Sequence, residues 1–352
     1  MTRARARDLG ATIGVLPVGT YNAITDVPGV RVGHSTIIAD TPRVARTGVT
    51  VIFPRAEPIW EYHTPAGFHV LNGNGDFTGT HWIEESGLLT SLIAITNTHQ
   101  VGMVRDEIVR YSVENGVREW VMPLVGETYD GWLNDISAFH VQPHHVREAI
   151  ANASSGAVPE GNVGGGTGMI CYDFKGGIGT SSRIASTSNG DYVVGALVQA
   201  NHGDRHLLRA DGVSIGRAIP YEHTPSAWDE PQRPGSIIVI IATNAPLIPT
   251  QCKRLAQRAT IGLARSGGNG HNGSGDLFLA FATGNHVPAH GSDMCHLTML
   301  PHRQMDYLFD AATEAVEEAI INAMTAAETT VGYNGRTAPA LPLDRFQELM
   351  RR

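Results

Sequence analysis

The sequence predicts an α+β fold, and three observations carry the prediction. Five apolar runs bounded by Gly- and Pro-rich connections read as sheet cores: Val49 to Phe53, Leu92 to Thr96, Tyr192 to Ala200, Ile237 to Thr243 and Leu277 to Thr283. Two segments read as helices. Pro249 to Arg265 has proline near its start and Leu255, Ala259 and Leu263 at four-residue intervals, and Met305 to about Thr329 is rich in Ala and Glu and stops before Gly332. These elements do not alternate strand with helix as a parallel wind requires, which favours helical layers over mixed sheets.

Composition narrows the function classes. With 352 residues and 42% hydrophobic content the chain can bury one large core or two ordinary ones. The formal charge of −8 is spread out, no basic run of five occurs and aromatics are sparse, so nucleic acid is not an expected partner. Cys171, Cys252 and Cys295 are an odd set without close pairing, which argues against a disulfide framework and a cysteine-rich zinc site and for a reducing, cytoplasmic location. The arginine-bearing start lacks a signal-length apolar stretch and no 18-residue apolar run occurs, so neither secretion nor membrane spanning is expected.

The segment Arg233-Pro-Gly-Ser-Ile-Ile-Val-Ile-Ile-Ala242 sets a Gly-Ser pair directly before a strand. Ile237 to Ile241 is too short to span a membrane and reads as buried on both faces, so Ser236 sits where flexible chain enters rigid core. Cutting between Gly235 and Ser236 would create a chain beginning with a serine held in place by its own strand. A serine hydroxyl needs an adjacent base, and an α-amine with an ordinary pKa near ~8 supplies one without a histidine. Before the cut, the same hydroxyl would attack the Gly235 carbonyl, where glycine tolerates a bent backbone and Pro234 stiffens the approach. This is the layout of an N-terminal nucleophile hydrolase. Pro-Gly-Ser before a strand is also ordinary turn chemistry, and this segment alone does not separate the two.

Other segments have the composition of a site. Glu160 to Gly168 carries five glycines in nine residues, a backbone able to approach a ligand closely. It lacks the Lys-Ser/Thr ending of a P-loop and the setting of a dinucleotide site, so it reads as a tight wall of an acyl pocket. Ser266 to Asp276 is Gly-rich and ends at a strand, which by composition describes a linker and turn. Neither His144-His145 nor the pair His286 and His290 forms an HExxH helix pattern, so no metal and no cofactor are expected. His202 and His271 flank the candidate site and are assigned no catalytic step.

The stretch from Gly235 through ATNAPLIPTQCKRLAQRATIGLARSGG to NGSGDLFLAFATGN resembles the DmpA-type aminopeptidases, self-processing serine hydrolases that include the β-peptidyl aminopeptidases. The likeness extends to RARDLGATIGVLPVGTYNAITDVPGVRVGHSTI, NGNGDFTGTHWIEESGLL, ETYDGWLNDI, GNVGGGTGMICYDFKGGIGTSSR and VGALVQANHG, in order, and covers nearly the whole chain.

That resemblance implies a single domain over residues 1–352, a four-layer α/β/β/α sandwich, cleaved into 1–235 and 236–352. It implies Ser236 as nucleophile, with Ser274 and Asp276 orienting its hydroxyl and amine. Some relatives carry glutamate at the acidic position, and Asp276 has a shorter reach. Asn201, by residue type a strand-ending turn residue, would donate to the oxyanion, assisted by Tyr129. Glu127 is the candidate to receive a substrate ammonium, with Trp132 walling the pocket. Expected substrates are short peptides, amides or esters with a free amino terminus, with L-, D- and β-residues left open, and a homo-oligomer of cleaved units is expected. An ω-amino-acid oligomer amidase or an acyltransferase on the same fold, and a non-catalytic small-molecule binding protein with an intact Gly235-Ser236 bond, are the alternatives.

Overall fold

The computed structural model describes residues 2–228 and 235–351. Arg233 and Pro234, expected to lead into the nucleophile, lie outside the described residues. Strands β1 (Arg31–Ala39), β2 (Ala45–Phe53), β4 (Ile93–Asn97) and β5 (Leu124–Thr128) form one sheet in the order β1-β2-β4-β5. The second sheet runs β3-β9-β8-β7-β6, from β3 (Tyr62–Gly73), β9 (Gly275–Ala282), β8 (Ser236–Thr243), β7 (Gly190–Asn201) and β6 (Gly177–Thr187), with Val287–Pro288 at the β3 edge. The pairs β4/β5 and β8/β9 are parallel and the other pairs antiparallel.

Side-chain alternation along β8 explains the layering. Ile238, Ile240 and Ala242 enter a core shared with Val49, Val51, Ile93 and Ile95 of the first sheet, whereas Ile237, Val239 and Ile241 enter a core shared with α3 (Pro249–Ala256), α4 (Ala259–Ser266) and α5 (Met305–Thr325). Helices α1 (Val101–Glu114) and α2 (Pro143–Ala151) cover the outer side of the first sheet. The result is the four-layer α/β/β/α sandwich expected. Each fully buried apolar side chain of β8 contributes about 2 kcal/mol, so five in succession anchor this strand independently of the peptide bond that precedes it.

The expected helix Pro249 to Arg265 is two helices. Arg258 N–H donates to the Leu255 carbonyl three residues back, a tighter turn that re-aims the chain so that Gly262 meets Val316 of α5. Leu255, Ala259 and Leu263 still share one core, which is why their spacing imitates a continuous helix. Helix α5 ends at Thr325 and buries Glu314 and Glu318 against the fully buried Arg183 of β6, at 3.0 and 2.6 Å. Among the described residues no helix is long and apolar enough to cross a membrane. Cys171, Cys252 and Cys295 are all free thiols.

Candidate active site

Ser236 is the first residue of β8 and is buried to 9% exposure. It stands opposite Asn201, the last residue of β7, in the antiparallel register, and beside the start of β9. By alternation the Ser236 and Asn201 side chains share the face turned toward the first sheet, with Ile238 and Gln199. Gly275 N–H donates to Ser236 Oγ at 3.0 Å. The hydroxyl is therefore held by a backbone amide at the mouth of the parallel strand pair.

Asn201 is fixed at both ends of its amide. Its Oδ1 accepts from Ile170 N–H at 2.8 Å and its Nδ2 donates to the Tyr129 carbonyl at 3.0 Å. An amide nitrogen carries two hydrogens, so one remains to point elsewhere. A side chain added at Gly235 would come within 3.1 Å of this Nδ2, which puts the donor beside the residue ahead of Ser236. Tyr129 thus meets Asn201 through its backbone, while its ring is 53% exposed and folds over Gly131.

Ser274 and Asp276 lie on the other face of β9, turned toward the helices like Phe278 and Ala280. Ser274 Oγ donates to Asp276 Oδ2 at 2.6 Å, and Asn72 Nδ2 donates to Ser274 Oγ at 3.1 Å. Burial pushes the Asp276 carboxyl up to about 6, against the lowering effects of the Ser274 hydroxyl and the Ile237 N–H. This pair reaches Ser236 through the backbone: Gly275 between them donates to Ser236 Oγ, and Ile237 N–H donates to Asp276.

Glu127 approaches from the first sheet. Gly126, with no side chain, lies against Ile238, two residues from Ser236, and so lets β5 cross β8 closely. The Glu127 carboxylate accepts from Asp76 N–H at 2.9 Å and from the Thr98 hydroxyl, and burial raises its pKa above the ordinary carboxylate value. A side chain on Gly75 would sit 3.2 Å from Glu127 Oε1 and 3.4 Å from Gly275 Cα, so one small residue separates this carboxylate from the residue whose N–H donates to Ser236. Trp132 is held by partners of its own: Nε1 donates to the Ala227 carbonyl at 2.7 Å, its ring meets Trp228 at 4.8 Å and the Arg336 guanidinium covers it at 3.7 Å.

The glycine-rich loop expected to wall an acyl pocket is instead packed between the sheets. Gly164, Gly165 and Gly166 are buried, and a side chain on any of them would collide with Thr50, Gln199 or the Ile178 backbone. Its service to the site is indirect, because it leads into Ile170, whose N–H holds Asn201. Sequence reasoning missed Asn72, Asp76, Thr98 and the fully buried Asp130, whose carboxyl burial pushes up to about 7 beside Asn134 and Asn97. Asn72 and Asp76 belong to the segment NGNGD, noticed as a likeness without an assigned task. Among the described residues no three His, Cys, Asp or Glu side chains converge as a metal site.

Comparison with known proteins agrees with this geometry. The model of peptidase family S58 matches residues 22–338. Beta-peptidyl aminopeptidase BapA of Sphingosinicella microcystinivorans is 44% identical over 368 residues, covering 99% of this chain and 92% of that protein. A beta-aminopeptidase structure from Burkholderia sp. superposes with a TM-score of 0.94 at 51% identity, covering 99% and 98% of the two chains. The L-aminopeptidase D-Ala-esterase/amidase of Ochrobactrum anthropi, described as a prototype for the serine aminopeptidases and a variant of the Ntn hydrolase fold, superposes with a TM-score of 0.90 at 44% identity over 99% and 98%. A strand-leading serine, an amide donor beside it and a backbone that matches these structures end to end lead to one conclusion: the chain belongs to peptidase family S58 and has the N-terminal nucleophile hydrolase fold.

Proposed function

We propose that this chain is a self-processing serine aminopeptidase that removes N-terminal residues from short peptides, amides or esters. The chain cleaves between Gly235 and Ser236, and the freed α-amine of Ser236 takes the proton from its own hydroxyl as that oxygen attacks the substrate carbonyl. The tetrahedral oxyanion receives the spare amide hydrogen of Asn201, with the Tyr129 hydroxyl assisting from the exposed side. Glu127 receives the substrate ammonium. Ser274 and Asp276 hold the α-amine from the opposite face, and water releases the acyl group from Ser236. Trp132 keeps its proposed place at the rim of the pocket. Oligomerisation of cleaved units and a cytoplasmic location complete the proposal.

The observation that supports this reading best is the meeting of Ser236, Asn201 and the Gly275 N–H at one strand end, with the buried Glu127 carboxylate on the same side of the sheet. A buried carboxylate without a resident cation is costly, and a substrate ammonium compensates it. The test is hydrolysis of L-Ala, D-Ala and β-Ala p-nitroanilides beside their N-acetyl counterparts. The free amines are expected to be cleaved and the acetylated ones spared; equal cleavage of both sets would exclude an aminopeptidase.

A further inference from the structure

The face of the second sheet that turns away from Glu127 carries a small cavity directly behind the Gly235-Ser236 bond. Gly235, His202, His271, Ser274 and Asp276 line it, and it has room for about one water molecule. His202 is the first residue after β7 and lines this cavity on the helix-facing side, while Asn201 faces the substrate side. The ring is buried and its Nε2 has no hydrogen-bond partner among the described residues. Leaving a buried polar atom unpaired is costly, so such an atom at a polar cavity points to a bound molecule.

The other ring nitrogen bears on the tautomer. Nδ1 lies 3.9 Å from Cys171 Sγ, a contact that either tautomer can make; burial pushes the Cys171 thiol up to about 12, so its S–H is available, and we assign the tautomer in which it donates to Nδ1 and the ring proton sits on Nε2. Burial also lowers the His202 pKa to about 3, which keeps the ring neutral. His202 therefore offers one N–H to the cavity, and Asp276 offers a carboxylate.

We propose that this cavity holds one water molecule between His202 Nε2 and the Asp276 carboxylate, and that this water hydrolyses the ester formed during self-cleavage. The inference rests on the self-processing reading and gives it its second step. In the first step Ser236 Oγ attacks the Gly235 carbonyl carbon, the C–N bond breaks, and the hydroxyl proton ends on the departing nitrogen. An ester then joins Gly235 to Ser236 Oγ, with the α-amine free. In the second step the held water attacks the same carbon, the C–O bond to Ser236 breaks, and one water proton restores the Ser236 hydroxyl. The Gly235 acid that results passes its proton to the amine. His202 is a positioning residue in this scheme, because it aims the water at Gly235 and touches neither substrate nor nucleophile during turnover.

The test follows self-cleavage of the purified full chain by mass spectrometry with and without neutral hydroxylamine, which intercepts esters. His202→Leu is expected to slow cleavage on the order of tenfold or more, and hydroxylamine is expected to restore it by releasing residues 1–235 as a hydroxamate. His202→Gln, which keeps an N–H donor, is expected to cleave near the wild-type rate. A crystal structure of Ser236→Ala is expected to show a water within hydrogen-bond distance of His202 Nε2 and Asp276, whether or not the leucine variant folds. Wild-type cleavage in a folded His202→Leu chain, slowed cleavage that hydroxylamine does not rescue, or a dry cavity would each overturn the proposal. Wild-type chain that never cleaves would instead remove the self-processing reading on which it rests.

Discussion

Asn201 and Ser236 face each other across the antiparallel register of two central strands, one ending where the other begins. Their backbones are thereby locked in place by the sheet, and the Asn201 amide is held by Ile170 and Tyr129 before any substrate arrives. A donor held in this way needs no reorganisation when charge develops next to it.

Asn201→Ala is accordingly expected to lower kcat on the order of 100-fold, about 3 kcal/mol of barrier, with KM changed little. Steady-state kinetics on the cleaved variant check this, with a thermal melt to show that loss of the Ile170 and Tyr129 contacts has not unfolded it. An unchanged kcat would exclude Asn201 as the oxyanion donor.

Glu127 tests recognition separately from chemistry. Glu127→Gln keeps the shape and the contacts to Asp76 and Thr98 but removes the charge, so kcat/KM for free-amine substrates is expected to fall on the order of 100-fold. The same substitution is expected to narrow the preference for free over N-acetylated substrates. A preserved preference would mean that another group reads the amine.

Asp276 sets an acidic limit on self-cleavage. In the uncut chain its carboxyl is pushed up to about 6 by burial, so it loses its charge as pH falls through that value, and the rate of self-cleavage is expected to fall with it. In Asp276→Asn that limb is expected to disappear and the remaining rate to be low across pH 5–8. An unaltered limb in the variant would assign it to another group.

Asp130 makes a stability prediction. Its folded-state pKa, about 7, lies above the ordinary aspartate value, so the unfolded chain gives up this proton first as pH rises. The stability tied to its protonated form is complete below about 4 and is lost as pH rises through about 7. Glu160, pushed up to about 7 by burial, contributes in the same direction. The Tm of Asp130→Asn is expected to decline less than that of wild type between pH 5 and 8. Parallel Tm profiles would show that Asp130 is not ionising there.

Strand β8 was legible because Ile237 to Ile241 is apolar on both faces, and β7 and β9 were legible for the same reason. Strand β6 was not, since Ser181, Ser182 and Arg183 read as surface residues; they are buried because Glu314 and Glu318 from a distant helix neutralise Arg183. The break between α3 and α4 was hidden by an apolar spacing that serves either one helix or two. Within the site, Ser236, Asn201, Ser274, Asp276 and Glu127 were named from residue type and likeness. The two faces of the sheet on which they divide became visible only with the strand registers. Thr98 and Asp76 reach Glu127 from separate loops, and no local pattern announces such contacts.

The most direct measurement is intact mass and N-terminal sequencing of the purified wild-type protein beside Ser236→Ala, each also assayed for turnover. The expected result is fragments 1–235 and 236–352 for wild type, the second beginning at Ser236, and an inactive single chain for the variant. A wild-type preparation that remains one 352-residue chain while hydrolysing substrate at full rate would contradict the account.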